Sequence, residues 1–294
     1  MSMSEVSTST SSLTSFRQRV LIEGARLYRD LPWRKTHDPY AIWISEVMLQ
    51  QTQVKRVDGR WQQWLEKFPT VDALALASRA DVLEEWQGMG YNRRALSLLE
   101  AARRISKNYP NSFPTAYDDL VALPGIGPAT AAGIRAFAFD LPGVYLETNV
   151  RSVFLHELFP DAQHVPDSVL IPLVRETCPQ TADNPSDTPR IWYYALLDVG
   201  AELKRTHTNP SRRSKTYARQ SKFEGSHRQK RAEIVRILLA QGGQGLMFDD
   251  IVELLNGWEE ATRRESTAPA EVQDLLNELL KESMCSCLDE RWHI

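Results

Sequence analysis

From Phe16 to about Leu203, apolar residues recur at spacings of three and four, and turn signals fall every 10 to 18 residues. That period belongs to amphipathic helices, and alternating strand patterns are nearly absent, so an all-α fold is expected. Asp38-Pro39 reads as an N-cap followed by proline at the first helical position. Pro69-Thr70, Gly88-Met89-Gly90, Pro110-Asn111, Pro124-Gly125-Ile126-Gly127 and Pro142-Gly143 punctuate the chain that follows. Residues 38–57 are predicted to form a helix whose apolar positions wrap almost all the way round. Thr115 with Asp118 suggests a capping box opening a short helix, and Pro128 opens a second one running through Phe139.

Toward the C-terminus the pattern resumes after a break. Ile234, Val235, Ile237, Leu238 and Leu239 make one helix face, Ile251, Val252, Leu254 and Leu255 a second, and Val272, Leu275, Leu276, Leu279 and Leu280 a third. Asp289-Glu290 is a turn signal within Cys285 to Ile294, a stretch that can fold as a hairpin. Three helices and a terminal hairpin resemble a winged helix over residues 226–294. Residues 232–294, however, carry 13 acids against 5 bases, a poor charge for reading a groove, which leaves a protein-contact or packing role open.

Charge changes the picture in one segment. The chain of 294 residues has a net charge of −3 with 25% charged and 42% hydrophobic residues, the composition of a globular protein with no global sign of nucleic-acid binding. Yet Lys204 to Arg231 holds ten Lys or Arg against one acid, Glu224. This basic stretch reads as a solvated linker over residues 206–225, as a phosphate-tracking strip, or as both. The first fifteen residues include ten Ser or Thr without a basic or apolar region, so 1–15 is expected to be a disordered tail rather than a secretory signal or anchor. Cys178, Cys285 and Cys287 are too few for a disulfide framework and suit a reducing, cytoplasmic compartment. No segment reaches the roughly 18 apolar residues of a membrane span.

Two places carry candidate chemistry. The glycines of Pro124-Gly-Ile-Gly127 permit a tight reversal, and backbone amides at the following helix N-terminus can point at a phosphate; a plain helix corner is the alternative. Glu46 lies inside the apolar run of 38–57, where it is either a rim residue or, if buried, a carboxyl that keeps its proton near neutral pH and serves as a general acid. Gln50, Gln51 and Gln53 place an unusual density of amides beside it.

Four stretches in this order and spacing resemble the helix-hairpin-helix DNA glycosylases, and within them the adenine DNA glycosylase branch. They are Ser45-Glu-Val-Met-Leu-Gln-Gln-Thr-Gln-Val54, Trp86-Gln-Gly-Met-Gly-Tyr-Asn-Arg-Arg-Ala95, Leu123-Pro-Gly-Ile-Gly-Pro128 and Asn149-Val-Arg151. The resemblance runs from about Leu31 to about Leu203. It implies two helical lobes with the active site in the cleft between them, one of residues 38–138 and the other of 16–37 with 139–205, together a domain of 16–205. It also implies double-stranded DNA as partner, with the protein acting as a monomer. Glu46 matches the general acid that protonates the leaving base, and Asn149 a polar partner of the sugar and the catalytic carboxylate. Gln51, Met89 and Tyr91 match residues that wedge into the duplex as a base is flipped out. Gly125, Gly127 and Ala129 match the phosphate-clamping hairpin, and the carbonyls of Val121, Leu123 and Ile126 are expected to hold a sodium or potassium ion.

The chain departs from that family in several ways. Glu147, in Leu146-Glu-Thr-Asn149, stands where the family has its catalytic aspartate. Ala129 stands where lyase members carry a Schiff-base lysine, so a monofunctional hydrolase is expected. The four cysteines of the family's iron–sulfur cluster are missing between Ala201 and Phe223, and no cluster is expected there. That interval supplies Arg212, Arg213, Lys215 and Arg219 as candidate DNA contacts. Tyr194 occupies a base-pocket position where adenine-specific members offer Glu or Gln, and the C-terminal module is shorter and more helical than the domain that reads 8-oxoguanine. The expected activity is therefore excision of a mispaired or damaged base. Adenine opposite 8-oxoguanine or guanine leads, with another lesion, or damage binding without chemistry, as alternatives. A protein partner for the acidic module is a further expectation.

Overall fold

The computed structural model describes residues 10–218 and 223–294. Along the chain the helices are α1 (Thr10–Arg26), α2 (Pro39–Met48), α3 (Val54–Val57), α4 (Arg60–Lys67), α5 (Val71–Leu76), α6 (Arg79–Glu85), α7 (Arg93–Asn108) and α8 (Tyr117–Val121). They continue as α9 (Pro128–Phe139), α10 (Thr148–Leu158), α11 (Asp167–Thr177), α12 (Pro189–Thr206), α13 (His227–Ala240), α14 (Phe248–Ala261) and α15 (Pro269–Lys281). A terminal hairpin of β1 (Ser286–Leu288) and β2 (Arg291–His293) is antiparallel, pairing Ser286 with His293 and Leu288 with Arg291. The all-α expectation holds apart from this hairpin. No helix among the described residues is long and apolar enough to cross a membrane.

The chain divides into two compact units, Met1–Gln50 with Phe113–Arg219, and Gln51–Ser112 with Gln220–Ile294. This differs from the expected lobes: α2 and the α8–α9 hairpin join α10 and α12 rather than the helices between them. The reason is that α9 is apolar all round, with Thr130 through Ile134 and Ala136 through Ala138 buried, and it needs partners on opposite faces. It finds α2 on one and α12 on another.

In the first unit α12 is the hub, packed against α1, α9 and α10. Thr188 caps it through the Ile191 N–H, and Pro189 takes the first helical position. Phe16 of α1 meets Phe154 and Trp192 edge-on, at 5.1 and 6.0 Å between ring centroids. Asp198, buried on α12, is held by both guanidinium nitrogens of Arg34 at 2.7 and 2.8 Å and by Arg29 at 2.5 Å. A buried carboxylate is tolerated only when paired this completely.

In the second unit α7 buries Ala95, Leu98, Leu99, Ala102 and Ile105 against α5 and α6. Trp64 and Trp86 pack edge-on at 5.4 Å. The three C-terminal helices and hairpin form as expected, with an isolated bridge from Leu246 to Trp292 adding a third short strand position. The acids of α15 are largely paired within the unit. Lys230 of α13 reaches Glu271 at 2.8 Å, and Arg231 reaches Glu278 at 3.1 Å and Glu282 at 2.6 Å.

Four local expectations are corrected. α1 begins at Thr10 rather than after residue 15, because Leu13 and Phe16 bury one face of it; residues 1–9 of the expected tail lie outside the described residues. The helix expected over 38–57 stops at Met48, and Gln51 adopts left-handed backbone, φ 53°, before α3 restarts the chain. α8 is capped by Ala116 rather than by a Thr115–Asp118 box; the Thr115 carbonyl instead takes a 2.5 Å hydrogen bond from Arg135. The basic segment is only partly a linker, since Pro210, Ser211 and Ser214 are buried in a short 3-10 turn packed on α10.

Candidate active site

Glu46 projects from α2 toward α9 at Gly133, the residue that gives it room. A Cβ on Gly133 would lie 2.3 Å from Glu46 Oε2 and 2.8 Å from Tyr145 Cε2. The Tyr145 ring and the Glu46 carboxyl thus lie side by side at Gly133. Burial pushes the Glu46 carboxyl up to about 8; the Tyr145 hydroxyl opposes that rise and the nearby Glu147 charge adds to it. At neutral pH Glu46 therefore holds a proton it can give away.

Glu147 is the N-cap of α10. Its Oε1 accepts from the backbone N–H of Asn149 at 2.5 Å and of Val150 at 2.8 Å, and its Oε2 accepts from Asn149 Nδ2 at 3.1 Å. Burial raises this carboxyl too, while the Val150 amide, Lys204 and Asn149 favour its charged form. Helix N-termini stabilise anions, so the local arrangement is a seat for a carboxylate. The Asn149 Oδ1 is buried with no hydrogen-bond partner among the described residues. α10 comes this close to α12 because residue 200 is glycine: a Cβ there would stand 2.3 Å from the Asn149 carbonyl oxygen.

Tyr194, buried on α12, stacks on Phe137 at 4.4 Å and 6° between planes, with the Arg34 guanidinium 4.4 Å from its ring. The first unit thus brings together Glu46, Glu147, Asn149 and Tyr194. In the same unit the hairpin between α8 and α9 is closed by Leu123 N–H to Leu120 O at 3.1 Å and Ile126 N–H to Leu123 O at 3.2 Å. Gly125 sits there at φ 76°, a conformation that favours glycine, and Gly127 is the exposed N-cap of α9 with Ala129 just inside it. The turn carries the carbonyls of Val121, Leu123 and Ile126, an oxygen-only donor set of the kind that suits a hard cation.

Gln51, Met89 and Tyr91 belong to the second unit. Gln51 is exposed and Tyr91 half-buried, both in left-handed backbone, whereas the Met89 side chain is 1% exposed and packs as core. Arg212 and Lys215 are exposed. Arg213 departs from the expected phosphate contact: its guanidinium donates to the carbonyls of Leu155 at 2.8 Å, Phe159 and Pro160, closing the C-terminal end of α10. Arg219 lies outside the described residues. The family's iron–sulfur cluster does not fit this chain, because three cysteines cannot supply four thiolates and the segment after α12 folds around Asn209, Ser211 and Arg213 instead.

Sequence reasoning missed Tyr145, Gly133, Gly200 and Lys204. A glycine in mid-helix, as in Ala-Thr-Ala-Ala-Gly133, is a signal of close approach that could have pointed to the Glu46 contact.

Residues 44–173 match the model of the HhH-GPD superfamily base excision DNA repair protein. An adenine DNA glycosylase of Mycolicibacterium smegmatis is 37% identical over 176 residues, 60% of this chain and 58% of that protein. One from Mycobacterium tuberculosis is 43% identical over 129 residues, 44% of this chain and 42% of that protein. The chain thus spans little more than half the length of these curated relatives at most. Among solved structures, a thermostable thymine-DNA glycosylase superposes with a TM-score of 0.57 at 23% identity, covering 66% of this chain and 88% of that one. A trapped endonuclease III–DNA covalent intermediate gives 0.52 at 18%, covering 74% and 92%. With four motifs in register, the hairpin turn in place and this match, residues 44–173 form a domain of the HhH-GPD superfamily of base excision DNA repair proteins.

Proposed function

We propose that the protein is a monofunctional DNA glycosylase that hydrolyses the N-glycosidic bond of a base flipped from double-stranded DNA, with adenine opposite 8-oxoguanine or guanine as the leading substrate. The observation that carries this reading is the pairing of a proton-holding Glu46 with Glu147 seated at the α10 N-terminus. Glu46 gives its proton to a ring nitrogen of the base. The C1′–N bond then breaks, and the base leaves with the electron pair. Glu147, as carboxylate, stabilises the oxocarbenium-like sugar, and water adds at C1′ while losing a proton. Asn149 holds Glu147 through Nδ2 and keeps its Oδ1 for the sugar or the water. With Ala129 in place of a lysine, no amine is offered for strand cleavage at that position.

In this reading the hairpin amides at Gly125 and Gly127 clamp a phosphate, a sodium or potassium ion sits on the Val121, Leu123 and Ile126 carbonyls, and the enzyme works as a monomer. Arg212, Lys215 and Arg219 track the backbone, and Gln51 and Tyr91 enter the duplex. Tyr194 favours a second reading, excision of another lesion, since a ring stacked between Phe137 and Arg34 offers no acid to an adenine amino group.

The test is single-turnover excision from duplexes carrying A opposite 8-oxoguanine, A opposite G, T opposite G, and modified cytosines and uracils, followed by alkali to reveal abasic sites. Cleavage after alkali at A opposite 8-oxoguanine supports the leading reading. Excision of T or a modified pyrimidine alone transfers the assignment to the second. No abasic site on any duplex, with DNA still bound, would reduce the protein to a damage binder.

A further inference from the structure

The loop from Gly88 to Tyr91 is backbone that does not hold itself. Gly88, Gly90 and Tyr91 all have positive φ, at 82°, 70° and 50°, and for a tyrosine that conformation persists only when the surroundings impose it. Part of the support is local. Trp86 Nε1 donates to the Gly90 carbonyl at 3.0 Å, and Arg94 donates to the carbonyls of Met89 and Gly90 at 3.1 and 3.0 Å. Arg94 also lies 5.6 Å from the Tyr91 ring, and further support comes from more than 130 residues along the chain. Arg228, in the first turn of α13, donates to the Tyr91 hydroxyl, and its guanidinium lies 4.9 Å from the Tyr91 ring and 5.4 Å from the Phe223 ring.

The direction taken by Arg228 is specific. Lys230 and Arg231, two and three positions on, turn to the acids of α15, whereas Arg228 turns to Tyr91. Its helix is fixed at that end by Ser226, which caps the Gln229 N–H, and by the Gln229 side chain, which accepts from the Gly225 N–H at 2.7 Å. α13 also packs against α6, which leads into Trp86 and the loop. A planar guanidinium gripping a tyrosine by face and hydroxyl sets the ring's direction in a way that a flexible ammonium does not.

We propose that Arg228 is a positioning residue for Tyr91, so that the C-terminal helices form a working part of the surface that pries the duplex open. This rests on the proposed reading that Tyr91 enters the duplex; duplex distortion can be observed apart from excision. Arg228 sets the Tyr91 ring before DNA arrives, and the loop enters the stack without first having to be ordered.

The test uses the full chain with Arg228→Ala, Arg228→Lys and Tyr91→Phe. Two readouts are taken. The first is single-turnover excision of the preferred base from a duplex and from the same sequence as a single strand. The second is the fluorescence of 2-aminopurine beside the target position on binding, which reports unstacking without excision. Arg228→Ala should slow excision from the duplex by about tenfold or more and reduce unstacking, while leaving single-strand excision within about twofold, because there is no stack to open. Arg228→Lys should restore less than half of the loss. Tyr91→Phe, which removes only the hydroxyl, should move both duplex readouts in the same direction and guards against misfolding of Arg228→Ala. Equal unstacking and equal duplex rates in all variants would overturn the proposal while leaving the glycosylase reading intact. If the parent excises nothing but still unstacks DNA in an Arg228-dependent way, the glycosylase reading falls and this inference stands.

Discussion

Glu46 and Gly133 share one space: a carboxyl oxygen of the first lies only 2.3 Å from where the Cβ of any other residue at 133 would be. Alanine in mid-helix would ordinarily stabilise by up to about 1 kcal/mol. Here it must displace Glu46 or Tyr145. A shift of about 1 Å in a catalytic group costs on the order of 100-fold, and Gly133→Ala should lower single-turnover excision by that much. Melting and excision measured on the same preparation separate misplacement from unfolding. A variant within about twofold of the parent rate would show that the carboxyl can act from another position.

The pH dependence follows from the raised Glu46 carboxyl. Its folded value of about 8 lies above the ordinary value of 4.5, so between those limits the folded chain binds more protons than the unfolded one. The stability it contributes is complete below about 4.5 and is lost as pH rises toward about 8, at up to about 1.4 kcal/mol per pH unit. Glu46→Gln cannot ionise, so denaturant unfolding should show it gaining on the parent from pH 5 to pH 8. Excision by the parent should fall above about pH 8, as the proton to be donated is lost. A rate that keeps rising to pH 9 would remove Glu46 as the acid.

Arg213 and its basic neighbours should separate by phenotype. Arg213→Ala leaves the carbonyls of Leu155, Phe159 and Pro160 without their charged donor and should cost about 1.5–3 kcal/mol of stability. Arg212→Ala with Lys215→Ala should leave the melt unchanged and flatten the salt dependence of DNA binding, by up to about 0.9 in slope for each phosphate no longer neutralised. If Arg213→Ala weakened DNA binding at unchanged stability, the carbonyl clamp would be incidental.

How far the chain could be read in advance depended on where local and long-range forces agree. Helical period and turn residues place α9, which runs from Pro128 through Phe139 as expected, because a proline opens it and the Pro142-Gly143 signal follows its end. The end of α2 was hidden, since Tyr40 to Val54 holds no glycine or proline to break a helix, and only the positive φ of Gln51 interrupts it. The division into units was hidden for a similar reason: α9 is apolar on every side, and periodicity cannot name its partners. At the site, Glu46 and Glu147 were visible as carboxylates in register with a known family. Tyr145 was not, because its place beside Glu46 joins residues about a hundred positions apart and leaves no mark on either local pattern.

Glu147 has a structural duty and a chemical one, and substitutions can divide them. As the α10 N-cap it holds the Asn149 and Val150 amides, a role aspartate fills at least as well, since short acidic side chains are favoured caps. Glu147→Asp should therefore melt at or above the parent temperature. Its carboxylate, however, is shorter by one methylene, and retraction by about 1 Å from the sugar should slow excision on the order of 100-fold. Glu147→Gln keeps length and one accepting oxygen but removes the charge that would stabilise the developing cation. It should bind duplex as the parent does while losing about 10²–10³ in single-turnover rate. An aspartate variant as fast as the parent would mean that only charge near the cation matters. A glutamine variant as fast as the parent would take Glu147 out of the chemistry and leave Glu46 to carry it.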